Sequence, residues 1–128
     1  MTKHIALPSL LLLALAALVG CRTIQYDSPD NYAVFQLGEF KGLVNTTAGK
    51  AAEAAEKAVR ESDLFQTYKV VNKYEAQILA RTRTDQKVRI NIEEANSKQT
   101  LIRIRWGEGG DLGYSRKLFD AIDRNVGR

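Results

Sequence analysis

Histidine and cysteine are almost missing: the 128-residue chain holds one of each, His4 and Cys21. A single cysteine excludes an internal disulfide and a thiolate-rich metal cluster, and a single histidine excludes a multi-histidine metal centre. Excess charge is also small. Nineteen Lys and Arg against fifteen Asp and Glu give a net charge of +4, too little by itself to argue for a nucleic-acid partner. There is no hydrophobic run long enough to span a bilayer, which takes about 20 residues of helix. There is no internal repeat and no low-complexity tract, and the length allows one domain.

What is present is unevenly spread. Residues 1–20 hold 14 of the 57 hydrophobic residues and a single charge, Lys3. Met1–His4 forms a short basic n-region, and Ile5–Val19 is apolar apart from Pro8 and Ser9. That stretch fits the h-region of an export signal. It ends in Leu18-Val19-Gly20-Cys21, which resembles the bacterial lipobox. The resemblance implies cleavage before Cys21, a diacylglyceryl thioether on its sulfur and a further acyl chain on its amino group. The alternative is an ordinary secretory peptide cut nearby, for example after Ala14-Leu15-Ala16, which leaves a free thiol. Arg22, rather than Asp, follows the cysteine, which favours the outer membrane, facing the periplasm. The expected organisation is a signal peptide over 1–20, a lipidated Cys21 with a polar tether over 21–31, and a single α+β domain over 32–128. Acylation takes the thiol out of nucleophilic, redox and metal chemistry.

Tyr32–Val44 is rich in aromatic and branched residues and reads as one strand, with Gly38 and Gly42 as bends or bulges. Asn45-Thr46-Thr47 offers helix caps, and Ala48–Ser62 follows with strong helix formers. Ala48, Ala51, Ala52, Ala55 and Val59 make a small-residue stripe suited to close packing on a sheet. Four strands are expected next, over Gln66–Val71, Ala76–Thr84, Lys87–Glu93 and Gln99–Trp106. Alternation places Val88, Ile90 and Ile92 on one face of the third, and Ile102, Ile104 and Trp106 on one face of the fourth. Asp111 is a candidate N-cap for an amphipathic helix over Leu112–Val126, with a stripe of Ser115, Leu118, Phe119, Ile122 and Val126. The order β-α-β-β-β-β-α predicts a two-layer α+β domain, an antiparallel sheet with two helices on one face. It is the order of helix-grip and TATA-binding-protein-like folds, which carries no function with it.

The lipobox, the Phe35-Gln-Leu-Gly38-Glu-Phe strand, the Ala-rich helix, and the Arg-Ile-Arg-Trp-Gly-Glu-Gly-Gly-Asp segment leading into Ser115-Arg-Lys-Leu-Phe-Asp-Ala-Ile122 are similar to small uncharacterised bacterial lipoproteins. The family is the one called domain of unknown function 3568. The resemblance covers nearly the whole chain, and it implies a lipoprotein with an α+β domain and no assigned activity.

Cleavage before Cys21 would also remove His4. Ser-His-Asp and Cys-His catalysis and zinc sites of the usual type then have no residues to use. Glu93 and Glu94 are adjacent, so in a strand they point to opposite faces. Glu108 and Asp111 lie in a Gly-rich loop, where helix capping is the simpler use. The loop lacks the spacing and the Lys of a phosphate-binding loop. These absences lead us to expect no enzyme, no metal and no cofactor.

The distinctive feature is electrostatic. Residues 77–106 carry seven basic and three acidic residues, while the rest of the chain after residue 20 carries 11 basic and 12 acidic. Alternation puts Arg81 with Arg83, Lys87 with Arg89, and Arg103 with Arg105 opposite the apolar face. Neighbouring strands would make these six a cationic sheet surface. Long charged side chains on a one-sided sheet also serve solubility; the alternative is an anion-binding face. Trp106 and Tyr68 are read as core residues. The functional expectation is a non-enzymatic cell-envelope lipoprotein acting as a membrane-tethered binding or scaffold module. Its partners are the membrane through Cys21 and an envelope protein or anionic lipid, with nucleic acid excluded by export. A small-ligand or lipid-binding module with a cleft between sheet and C-terminal helix is the alternative. A hydrolase using two convergent carboxylates is a third reading.

Overall fold

The computed structural model describes residues 22–25 and 32–127. Cys21 and the leader lie outside the described residues. Seven strands run β1 (Arg22–Gln25), β2 (Tyr32–Gln36), β3 (Glu39–Val44), β4 (Phe65–Val71), β5 (Glu75–Arg81), β6 (Lys87–Asn96) and β7 (Gln99–Trp106). Helix α1 (Ala48–Glu61) follows β3, and α2 (Leu112–Asn125) follows β7. The strands form one sheet in the order β1-β2-β3-β7-β6-β5-β4, every neighbouring pair antiparallel. The chain is therefore an α+β protein. From β3 onward the order is the expected β-α-β-β-β-β-α, with α1 over β4–β6 and α2 over β3 and β7.

Two departures lie at the N-terminal side. Tyr32–Val44 is a hairpin and not one strand. Leu37 and Gly38 sit at φ 53° and 77°, the paired positive φ that a type I′ hairpin turn demands. Asn-Gly or Asp-Gly would have signalled it; leucine, which adopts positive φ only at a steric cost, hid it. Arg22–Gln25, assigned by composition to a tether, pairs with β2, with Arg22 opposite Phe35. Gly42 is no bend. It lies in mid-strand, where an added Cβ would come within 2.6 Å of the Phe119 ring. Its missing side chain lets α2 approach and Phe119 meet Phe40 at 5.2 Å between centroids.

The apolar rows cross the sheet in register. Phe40, Ile104, Ile90 and Ile78 form one row, and Gly42, Ile102, Ile92 and Ala76 the next. The side chains of Phe40, Ile78, Ile90, Ile102 and Ile104 are wholly buried under the helices. Full burial of a large aliphatic or aromatic side chain contributes about 1.5–3 kcal/mol. The alanine stripe of α1 is buried as expected, extended by Ala54 and Ala58. Thr47 Oγ1 caps α1 by accepting from Lys50 N, and Asp111 Oδ1 caps α2 by accepting from Tyr114 N at 2.8 Å. The one wholly buried threonine, Thr100, donates to the Thr46 carbonyl at 2.7 Å. No described helix is long and apolar enough to cross a membrane.

Candidate functional site: a cationic concavity on the open sheet face

The face turned away from the helices has two ends. The tip end holds the Leu37-Gly38 turn, the Thr82–Gln86 turn and the Gly107–Asp111 loop. The far end holds the β4–β5 and β6–β7 turns. Alternation and register place Arg81, Lys87, Arg89, Arg103 and Arg105 on this open face, joined by Lys41 opposite Arg103. Arg83 is not among them. Strand β5 ends at Arg81, and Arg83 lies in the following turn with its guanidinium held by Asp63, Nε to Oδ2 at 2.8 Å and Nη2 to Oδ1 at 2.9 Å. Asp85, at φ 65°, tightens that turn and ends the alternation that would have kept Arg83 on the strand.

The cations differ in what holds them. Arg103 meets Glu93 at 2.9 Å, and Arg81 meets Asp85 at 2.7 Å. Arg105 keeps its charge but spends its donors on backbone: Nη1 reaches the Glu108 carbonyl at 2.9 Å and Nη2 the Leu37 carbonyl at 2.7 Å. It thereby ties the hairpin tip to the Gly-rich loop. Those backbones touch, since a Cβ on Gly110 (φ 79°) would stand 2.0 Å from the Gly38 carbonyl oxygen. Lys87 and Arg89 have no ion pair among the described residues.

Register makes the arrangement costly. Lys87 stands directly opposite Arg81, and Arg89 directly opposite Arg105. Like charges in directly opposed cross-strand positions are destabilising, on the scale of about 0.2–1 kcal/mol per pair. Two such pairs adjoin in one concavity of about 760 Å³, floored by Leu79 and edged by Thr67 and Glu108. Lys41, Leu79 and Thr67 were not singled out from sequence. Lys41 lies outside the basic segment, and only pairing order brings it to this face.

The far end of the same face is opposite in character. Glu75 stands opposite Glu93, next to Arg103, around a smaller concavity of about 340 Å³. Both carboxylates are exposed, and Glu93 is engaged by Arg103. Glu94, as its neighbour's opposite, turns to the helix side, where it accepts weakly from Ala48 N at 3.4 Å. Among the described residues, no three His, Cys, Asp or Glu side chains gather as a metal site.

A second groove of about 420 Å³ opens on the helix side of the tip end, between Leu64, Trp106, Tyr114 and Leu118. Trp106 is buried as expected, but its Nε1 has no hydrogen-bond partner among the described residues. Its ring stacks on Tyr114 at 5.0 Å. Tyr68 is not core. It is about half exposed on the edge strand β4, where its side chain stands on the open face opposite Leu79.

A family description, protein of unknown function (DUF3568), matches residues 4–125. The chain belongs to the DUF3568 family. No curated protein matches the chain. As a DUF3568 protein it brings no assigned activity to the concavity, whose chemistry rests on the residues themselves.

Proposed function

We propose that this DUF3568 protein is a non-enzymatic cell-envelope lipoprotein, tethered through an acylated Cys21, whose cationic concavity binds an anionic group. One observation carries the reading: two like-charged cross-strand pairs, Lys87 opposite Arg81 and Arg89 opposite Arg105, adjoin in one hollow. A sheet that needed only solubility could alternate charge signs across strands and gain stability. Juxtaposed cations give up that stability, and a bound phosphate or carboxylate turns the repulsion into shared attraction. The lipobox supports the anchor, because two or three acyl chains on one residue hold a protein to a bilayer where one holds it only marginally.

The test is a double reversal, Lys87→Glu with Arg89→Glu, titrated with glycerol 3-phosphate and followed by amide NMR shifts. Wild-type shifts are expected to cluster at the tip ends of β5, β6 and β7 and to weaken with salt. The variant is expected to lose them while gaining about 0.4–2 kcal/mol of stability from two new opposite-charge pairs. Unchanged binding at low salt rejects the reading.

The groove at Trp106 favours a second reading, a small flat apolar ligand with an acceptor for the unpartnered Nε1. The chain has a single tryptophan, so its fluorescence reports this groove alone. A screen of small aromatic acids that leaves the emission unmoved removes this reading.

A further inference from the structure

We infer that the anion is the phosphate of phospholipid headgroups in the membrane that carries the protein's own anchor, and that the domain lies on that membrane by the tip end of its sheet. This rests on the anchored, anion-binding reading above and names its partner.

The first observation is where the chain outside the described residues attaches. Arg22 pairs with Phe35, two residues before the Leu37 turn. One peptide bond, about 3.8 Å between Cα atoms, separates Cys21 from Arg22. Because Arg22–Gln25 is strand and not tether, acyl chains on Cys21 would be held at the tip end of the sheet, with no long linker to let the domain tumble.

The second is what that end displays. Leu37 is 87% exposed, the most exposed large hydrophobic residue described, and it stands at φ 53°. A leucine held in a strained backbone with its side chain in water is what a folding argument would remove. An interfacial residue entering the acyl boundary accounts for it. Its carbonyl is gripped by Arg105, which also lines the cationic concavity. Lys87, Arg89 and Arg105 thus lie beside the tip that reaches the bilayer, at the level of headgroup phosphates.

The third is polarity along the strands. On the open face the tip end carries the juxtaposed cations, and the far end carries Glu75 opposite Glu93. An anionic leaflet attracts the first and repels the second. The far-end turns do hold Lys73, Tyr74 and Lys98, which could also meet a membrane. The register of β1 chooses between the two ends.

The test uses full-length acylated protein in vesicles of phosphatidylcholine with or without phosphatidylglycerol. The only native cysteine is taken by the lipid, so Gln36→Cys and Ser97→Cys can each be labelled singly with an environment-sensitive dye, one at each end. In phosphatidylglycerol vesicles the dye at 36 is expected to be quenched by nitroxide-labelled lipid and the dye at 97 to remain in water. Lys87→Glu with Arg89→Glu is expected to reduce the docking equilibrium at least about thirtyfold, since each basic residue near an anionic surface contributes about a fivefold preference. Leu37→Ser is expected to weaken docking in both lipid mixtures. Floating protein with both dyes equally wet, or with 97 quenched instead of 36, overturns this inference and leaves the anion-binding reading standing. Protein that does not float with vesicles overturns the anchor reading and this inference together. In that double variant, loss of glycerol 3-phosphate binding with docking intact overturns the concavity's role in docking and leaves the anion-binding reading standing.

Discussion

The two ends of the open sheet face are built from the same strands and differ in how their charges are answered. At the far end, Arg103 reaches Glu93 at 2.9 Å, and Gln77 donates to Asn91 at 2.9 Å. Of the two opposed acids there, Glu93 is matched by Arg103, and Glu75 accepts a hydrogen bond from Asn72. At the tip end, Arg81 is paired with Asp85, but Lys87 and Arg89, which face Arg81 and Arg105, have no ion pair among the described residues. Among the described residues Arg105 is held by backbone carbonyls, which accept its hydrogen bonds without cancelling its charge. An identical residue type therefore does different work about 7 Å away along one strand, two residues of rise: Arg103 closes a local pair, while Arg105 braces a turn and leaves a positive field. Matched charge at a surface contributes little and calls for no partner. Unmatched charge of one sign, kept in a hollow, is the feature on which the proposed anion binding rests.

The comparison breaks most severely at the backbone of the tip end. Gly110→Ala forces a side chain onto the Gly38 carbonyl at a position with φ 79°. We expect a loss of about 3 kcal/mol in urea denaturation, from strain plus displaced backbone, together with loss of the concavity's shape and its glycerol 3-phosphate binding. A loss within about 0.5 kcal/mol would show that the loop and hairpin tip are not locked.

Next in size is the contrast between the two arginines. Arg105→Ala removes two charge-assisted bonds to carbonyls, and we expect about 1–3 kcal/mol of destabilisation. Arg103→Ala breaks one exposed ion pair, and we expect less than about 1 kcal/mol. Thermal melts of the two variants side by side measure the contrast, and equal losses would remove it.

The smallest effect sharpens the tip end rather than breaking it. Glu108 is the acid at the edge of the concavity. Glu108→Gln is expected to tighten glycerol 3-phosphate binding about threefold, a change of less than about 1 kcal/mol that fits an exposed charge. Weaker binding in this variant would mean that Glu108 orients the ligand instead of opposing it.

Much of the architecture was legible because periodicity is local. The alternation of Val88, Ile90 and Ile92 and of Ile102, Ile104 and Trp106 reports buried faces directly, and the α1 alanines repeat at helical spacing. The Gln99–Trp106 strand and the Asp111 cap needed no tertiary information. The hairpin at Leu37-Gly38 was not legible, because its turn uses a residue that sterics disfavour there. Arg83 was misplaced for a related reason: alternation says nothing about where a strand stops, and the turn through Asp85 stops β5 at Arg81. Tyr68 was read as core because aromatic residues in strands usually are, and only the sheet order puts β4 at an edge.

The amino-acid order alone settled the class of the fold, the apolar stripes, the caps and the concentration of basic residues in the central hairpins. Each of those depends on neighbours within a few positions. It could not say which cations would stand opposite which, because the turn through Asp85 and the irregularity between Glu94 and Asn96 set the registers of the two hairpins. That register set Arg89 against Arg105 and Lys87 against Arg81, and it brought Arg22 beside the hairpin tip. The basic segment became a cationic hollow at one end of the sheet because the hairpin turns set its registers while burial of the isoleucine rows turned its charges to the open face.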